Sequence, residues 1–157
     1  MTEGVAVRRA EERDLPRVAE LAGELVRMHH GVDPARFMLM EDVEQGYARW
    51  FSSELQRAEA VVLVAHRAEH IVGYAYGRLE GRDWNMLLDR HGAVHDVYVA
   101  SPARRSGAGR KLMAAVLAEL EKSGAPRIVL STMVGNEAAQ RLFRSCGFRP
   151  TMLEMAR

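Results

Sequence analysis

Cysteine is almost absent. Cys146 stands alone among 157 residues, so neither a disulfide framework nor a cysteine-based zinc cluster can form within the chain. Long apolar runs are missing too: no segment approaches 18 consecutive apolar residues, the length a membrane-spanning helix needs. Charge of one sign is equally lacking. The 22 Lys and Arg offset the 21 Asp and Glu to a net charge of +1, which argues against a general binder of nucleic acid or membrane surfaces. Any basic function must be local. The N-terminal stretch lacks the apolar core of a signal peptide, so a cytoplasmic location is the expectation. Internal repeats, low-complexity tracts and Gly/Ser linkers are absent, and the reading is one domain over residues 1–157.

What is present is an ordinary globular composition, 48% hydrophobic, sufficient for one core. Residues 5–9 alternate as a short strand. Asp14 is placed to cap a helix carrying Leu15, Val18, Ala22, Leu25 and Val26 on one stripe, which ends near His29-His30-Gly31. The segment 31–37 is a turn, with Asp33 held extended by Pro34, and a second helix covers residues 44–55. Residues 60–67 and 70–80 form a β-hairpin, and 93–99 another strand. A helix from about Gly109 carries Leu112, Met113, Val116, Leu117 and Leu120 and closes at Ser123-Gly124. Residues 127–132 read as a buried strand. Asn136 caps a helix that runs to Cys146 and stops at Gly147, and TMLEMAR alternates as a last strand. The fold class is therefore mixed α/β, a mostly antiparallel N-terminal half joined to a β-α-β-α-β C-terminal half.

Between Val99 and the helix at Gly109 lie Arg104, Arg105 and two glycines, with Arg110 just inside the helix and no acidic residue. A Walker loop needs Gly, four residues and Gly-Lys-Ser/Thr, which is absent. A dinucleotide fingerprint needs a third glycine where Leu112 stands, and its first glycine close behind the strand, whereas Gly107 lies eight residues beyond Val99. What remains is a helix N-terminus whose unpaired N–H groups and dipole suit a pyrophosphate, with glycines that let the backbone close on it. The plainer alternative is a loop that needs positive dihedrals and a soluble basic rim.

The run Arg104-Arg105-Ser106-Gly107-Ala108-Gly109, after a strand and opening a helix, resembles the Arg/Gln-x-x-Gly-x-Gly/Ala turn of the GCN5-related N-acetyltransferases. NEAAQRLFRSCGF resembles that family's Asn-capped helix ending in Gly-Phe, and the likeness runs without gaps from about Ala93 to Phe148. It implies acetyl-CoA as co-substrate, with no metal, and an amine as acceptor. Val97, Tyr98 and Val99 would pair with the pantetheine arm. Arg104, Arg105, Ser106, Gly107, Ala108, Gly109 and Arg110 would cradle the pyrophosphate, Asn136 would touch the arm, and Phe143 would contact it. Nucleic-acid and membrane partners are not expected; a homodimer is, from family habit.

An alkylammonium with pKa near 10.4 is about one part in a few thousand neutral at pH 7, adding roughly 4–5 kcal/mol to the barrier, so a base matters. The family's usual tyrosine acid, seven residues after the asparagine, is Phe143 here, and its usual glutamate positions hold Ser131 and Ala93. Diamine-type members carry a carboxylate pair where this chain has His95-Asp96. Histidine suits proton transfer near neutrality, so His95, Asp96 and Tyr98 are the catalytic candidates, with Tyr76 a further proton donor. Strand alternation predicts that His95 faces with Val97 and Val99, opposite to Asp96. The structural alternatives are a strand histidine bonded to a carbonyl, an aspartate pairing an arginine, and packed aromatics. His29-His30 reads as a helix C-terminus rather than a metal pair. The functional expectation is N-acetylation of a primary amine on a small molecule or peptide by direct attack. The alternative from another class is a non-catalytic acyl-CoA-binding sensor.

Overall fold

The computed structural model describes residues 4–157. Nine regular elements follow one another: β1 (Ala6–Arg9), α1 (Leu15–Val32), α2 (Val43–Glu54), β2 (Ala60–Arg67), β3 (His70–Glu80), β4 (His91–Val99), α3 (Ala108–Lys122), β5 (Ile128–Leu130) and α4 (Glu137–Ser145). The strands make one sheet in the order β1-β2-β3-β4-β5. The first three pairings are antiparallel and β4–β5 is parallel, because a helix, α3, carries the chain back across the sheet between those two strands.

Strand alternation divides the core in two. Val62, Val64, Tyr74, Tyr76 and Tyr98 face α1 and α2, where Leu15, Val18, Leu21 and Phe51 close over them. Val61, Leu63, Ala75 and Val94 face α3. Leu112, Met113, Val116 and Leu120 of α3 are wholly buried, each worth about 1.5–3 kcal/mol in removed apolar surface. That is why the spacing at 112, 113, 116, 117 and 120 was legible as a helix. Gly77 on β3 allows the close approach: a Cβ there would lie 2.9 Å from Val116 Cγ2.

Two sequence expectations are corrected. Asp14 precedes α1 but its side chain does not cap it. The carboxylate instead takes both Nη1 and Nη2 of Arg8, at 2.7 and 2.9 Å, and the Glu11 N–H at 2.8 Å. The last strand does not form: residues 149–157 carry no regular structure, and Met152, Leu153 and Met155 are exposed. Alternation needs a strand edge to pair with, and β5 is only three residues long. Arg36, in the α1–α2 connection, holds the tail by an ion pair to Glu154.

Candidate functional site

The pairing of β4 with β3 is in register at Tyr76↔Asp96 and resumes at Gly77↔Val94. His95 is therefore an extra residue, and two residues of β4 oppose one of β3. Such a bulge turns a side chain out of its alternating position. The expectation that His95 and Asp96 face apart is corrected by it. The His95 imidazole stacks on Tyr76, with centroids 5.4 Å apart and planes at 27°, on the α2 side of the sheet and away from Val97 and Val99. Asp96 faces the same way, and both line a cleft of about 330 Å³ beneath Tyr47 and Trp50 of α2.

His95 Nε2 lies 2.6 Å from Oε1 of Glu80, at the end of β3. With Nε2–H donated to that carboxylate, the Nδ1 lone pair is left to accept a proton. The other Glu80 oxygen sits 3.5 Å from Nε2 of buried His91, whose Nδ1 donates to the Asp89 carbonyl at 2.9 Å. Asp96 accepts the Tyr74 hydroxyl at 2.9 Å. Burial pushes its carboxyl above the usual carboxylate range, against the opposing effect of the Tyr74 hydrogen bond.

The tyrosines divide by what they hold. Tyr98, a catalytic candidate in the sequence, donates to Glu24 at 3.0 Å and receives Arg104 Nη2 at 3.3 Å, so it joins β4 to α1 instead of entering the cleft. Tyr76 donates to the fully buried Glu54 at 2.5 Å. Tyr47 lines the cleft with its hydroxyl engaged by no protein group among the described residues. Burial first, then Asp96, raises its pKa above the usual phenol value.

Around the β4–α3 turn, Arg104 stacks on the Tyr98 ring with its guanidinium 5.5 Å from the centroid, and donates Nε–H to the Val99 carbonyl at 3.1 Å. Ser106 donates to the Ala103 carbonyl at 2.5 Å. Arg105 and Arg110 are exposed. The turn closes through two left-handed residues, Arg105 (φ 63°) and Gly107 (φ 85°), and no side chain caps α3. The first-turn N–H groups at Ala108, Gly109 and Arg110 consequently lack intrahelical acceptors. β5 pairs only with Gly92, Ala93 and Val94, so among the described residues the same edge of β4 from His95 to Val99, including Val97 and Tyr98, has no strand beside it. Asn136 accepts the Ala139 N–H at 3.1 Å as the α4 cap. Phe143 packs edge-on against Phe148 at 6.3 Å. Among the described residues, no cluster of three or more His, Cys, Asp or Glu is arranged to hold a metal.

Glu80, Tyr47 and Trp50 were not singled out by the sequence reading. For Glu80 a signal existed: closing the 81–90 connection as a hairpin sets it opposite His91, on the strand next to His95. Tyr47 and Trp50 offered only helical spacing, which does not say what a helix covers.

Residues 32–148 match the family model for the acetyltransferase (GNAT) family. Among curated proteins, an uncharacterized N-acetyltransferase, YhfO of Bacillus subtilis (strain 168), is 26% identical over 104 residues, 66% of this chain and 68% of that protein. A mutant of the BH1408 protein from Bacillus halodurans superposes with a TM-score of 0.82 at 22% identity, covering 97% of this chain and 98% of the other. The aminoglycoside N-acetyltransferase AAC(6')-Iy, solved in complex with CoA, superposes with a TM-score of 0.77 at 15% identity over 100% of this chain and 95% of its own. The match to the family model spans well over half of the chain, and the same architecture recurs in these solved structures. This chain belongs to the GNAT family of acetyltransferases.

Proposed function

We propose that this protein transfers an acetyl group from acetyl-CoA to a primary amine of a small molecule or peptide, with His95 as the base and Glu80 as the residue that positions it. The carrying observation is the 2.6 Å contact between His95 Nε2 and Glu80 Oε1 beside Asp96 in one cleft. Membership of the GNAT family supports acetyl-CoA-dependent acetylation in general; the acceptor and the residue roles are the proposal.

The chain fits a CoA-type ligand on two observations. The uncapped first turn of α3, reached through Arg105 and Gly107 in left-handed conformations, offers backbone donors to a pyrophosphate. Ala108, Gly109 and Arg110 would supply these, while exposed Arg105 and Arg110 would add charge. The edge of β4 at Val97–Val99 would hold an extended arm. Arg104 and Ser106 are spent on the turn itself, and Asn136 on capping α4.

Acetyl-CoA supplies an electrophilic thioester: the amine nitrogen bonds to its carbonyl carbon, the C–S bond breaks, and the thiolate leaves. The residues of the chain prepare the amine. The His95 Nδ1 lone pair accepts the ammonium proton, directly or through water, and Glu80 stabilises the imidazolium so formed. Asp96, with its carboxyl raised by burial, stands beside it as a second acceptor. Phe143 offers no proton to the thiolate, and Tyr47 presents the hydroxyl closest in kind to that task.

Replacing His95 by Ala tests the reading. Turnover of an amine with pKa near 10 is expected to fall about 10²-fold or more, against a smaller loss for an amine near 8. Equal losses would remove the base assignment. Phe143 is the observation that favours a non-catalytic sensor, and acetyl-CoA bound with its thioester intact in the presence of every amine would establish that alternative.

Two further features complete the reading. A cytoplasmic location, where acetyl-CoA is available, belongs to the proposal. The exposed Val134, Met152, Leu153 and Met155, beside an α4 with no buried residue, support a homodimer that covers them. Sedimentation at two concentrations checks it.

A further inference from the structure

The walls of the cleft select the chemistry of the acceptor. Its carboxylates are Glu80 and Asp96, and its rings are Tyr47, Trp50, Tyr76 and the His95 imidazole. One cation lines it, Arg78, and that guanidinium is already committed. Nη1 is 3.5 Å from Oε2 of fully buried Glu54, and Nη2 is 3.3 Å from Oε1 of Glu59. Arg57 adds a contact to Glu54 at 3.2 Å. Glu80, Asp96, Glu54 and Glu59 stand against Arg78 and Arg57, so these six groups together carry two negative charges in excess. Aromatic faces attract an ammonium by their quadrupole and repel an anion.

We infer that the acceptor is a compact organic cation with no carboxylate or phosphate near the reacting nitrogen: an alkyl- or arylalkylamine, as opposed to an amino acid or an amino-sugar phosphate. The inference rests on the amine-acetylation reading above and narrows its substrate class. An anion beside the reacting nitrogen would meet Glu80 and Asp96 and find no uncommitted guanidinium. The ammonium of a decarboxylated counterpart instead sits among carboxylates and rings. The volume, about 330 Å³, lies at the lower end for small-molecule sites, which suits one ring or a short chain. A decarboxylation of the corresponding amino acid is a class of reaction that would supply such a substrate.

Matched pairs test this: tyramine against tyrosine, cadaverine against lysine, and glucosamine against glucosamine 6-phosphate. Binding is measured by calorimetry on the full chain with CoA present, so that no turnover is required. Each amine is expected to bind at least about 10-fold more tightly than its anionic counterpart. Trp50→Leu, at a half-exposed position that leaves the core intact, weakens the amine several-fold. Glu59→Gln, outside the cleft, releases part of Arg78 and narrows the preference. Equal or tighter binding of the anionic members overturns the proposal, as does failure of all three amines to bind at millimolar concentration. Preferential binding of the amines, with no acetylated product when acetyl-CoA replaces CoA, would instead sink the acetyltransferase reading and leave the cation preference of the cleft standing.

Discussion

Nε2 of His95 and Oε1 of Glu80 meet at 2.6 Å, and the contact depends on the single extra residue that β4 holds against β3 at that point. In a regular strand neighbouring side chains alternate between faces, so His95 and Asp96 could not both look onto the cleft. The bulge sends His95 onto the ring of Tyr76, and the hairpin brings Glu80 to its edge.

Glu80→Gln keeps a hydrogen-bond acceptor for His95 but removes the negative charge that stabilises an imidazolium. Turnover should fall roughly 10–100-fold at neutral pH with little change in KM. A kcat loss accompanied by a matching fall in Tm would mark Glu80 as structural only.

Gly107→Val places a β-branched residue at φ 85°, where left-handed backbone costs roughly 1–2 kcal/mol for a side-chain-bearing residue. No atom lies within 4 Å of a Cβ there, so the strain falls on the turn and not on the core. Acetyl-CoA affinity should drop about 10-fold, and the melting temperature should fall only by the few degrees that this strain represents. Gly109→Val differs, since its Cβ would meet Leu142 Cδ2 at 3.3 Å; it should lower affinity and stability together. Unchanged acetyl-CoA affinity in both variants would remove the pyrophosphate assignment.

Asp14→Asn tests the pair that buried Asp14 makes with partly exposed Arg8. Its hydrogen bond to Arg8 holds the Asp14 carboxyl below the usual carboxylate range, against the cost of burial. A depressed carboxyl contributes stability that is fully present above the unfolded value, near 4, and is lost as pH falls through the folded value. The variant should lose about 1–3 kcal/mol at pH 7, lowering Tm by roughly 2–4 °C per kcal/mol. The difference from the parent should close below pH 4. A Tm gap independent of pH would assign the loss to packing.

Much of the fold was legible in the chain because its signals are local. The stripe on α1, the spacing on α3 and the β-rich hairpin runs each record a periodicity that one buried face imposes, and α4 is marked by its Asn136 cap and terminal Gly147. The basic turn at Arg104–Arg110 was legible for the same reason: left-handed glycine and an uncapped helix start are properties of adjacent residues. The last strand failed because alternation in 151–157 describes a segment suited to an edge, and β5 extends only three residues to offer one.

By itself the sequence determined the order of elements as far as α4, the family resemblance and the presence of a histidine near the middle of the crossover strand. Only the tertiary structure decided where that histidine points, since a bulge is a mismatch between two strands and neither strand alone contains it. It also decided that Glu80 and Asp96 face His95, that Tyr98 belongs to α1, and that Arg78 is spent on Glu54 and Glu59. Those are relations between residues distant along the chain, set by the sheet register and the packing of α2, and they give the cleft its charge.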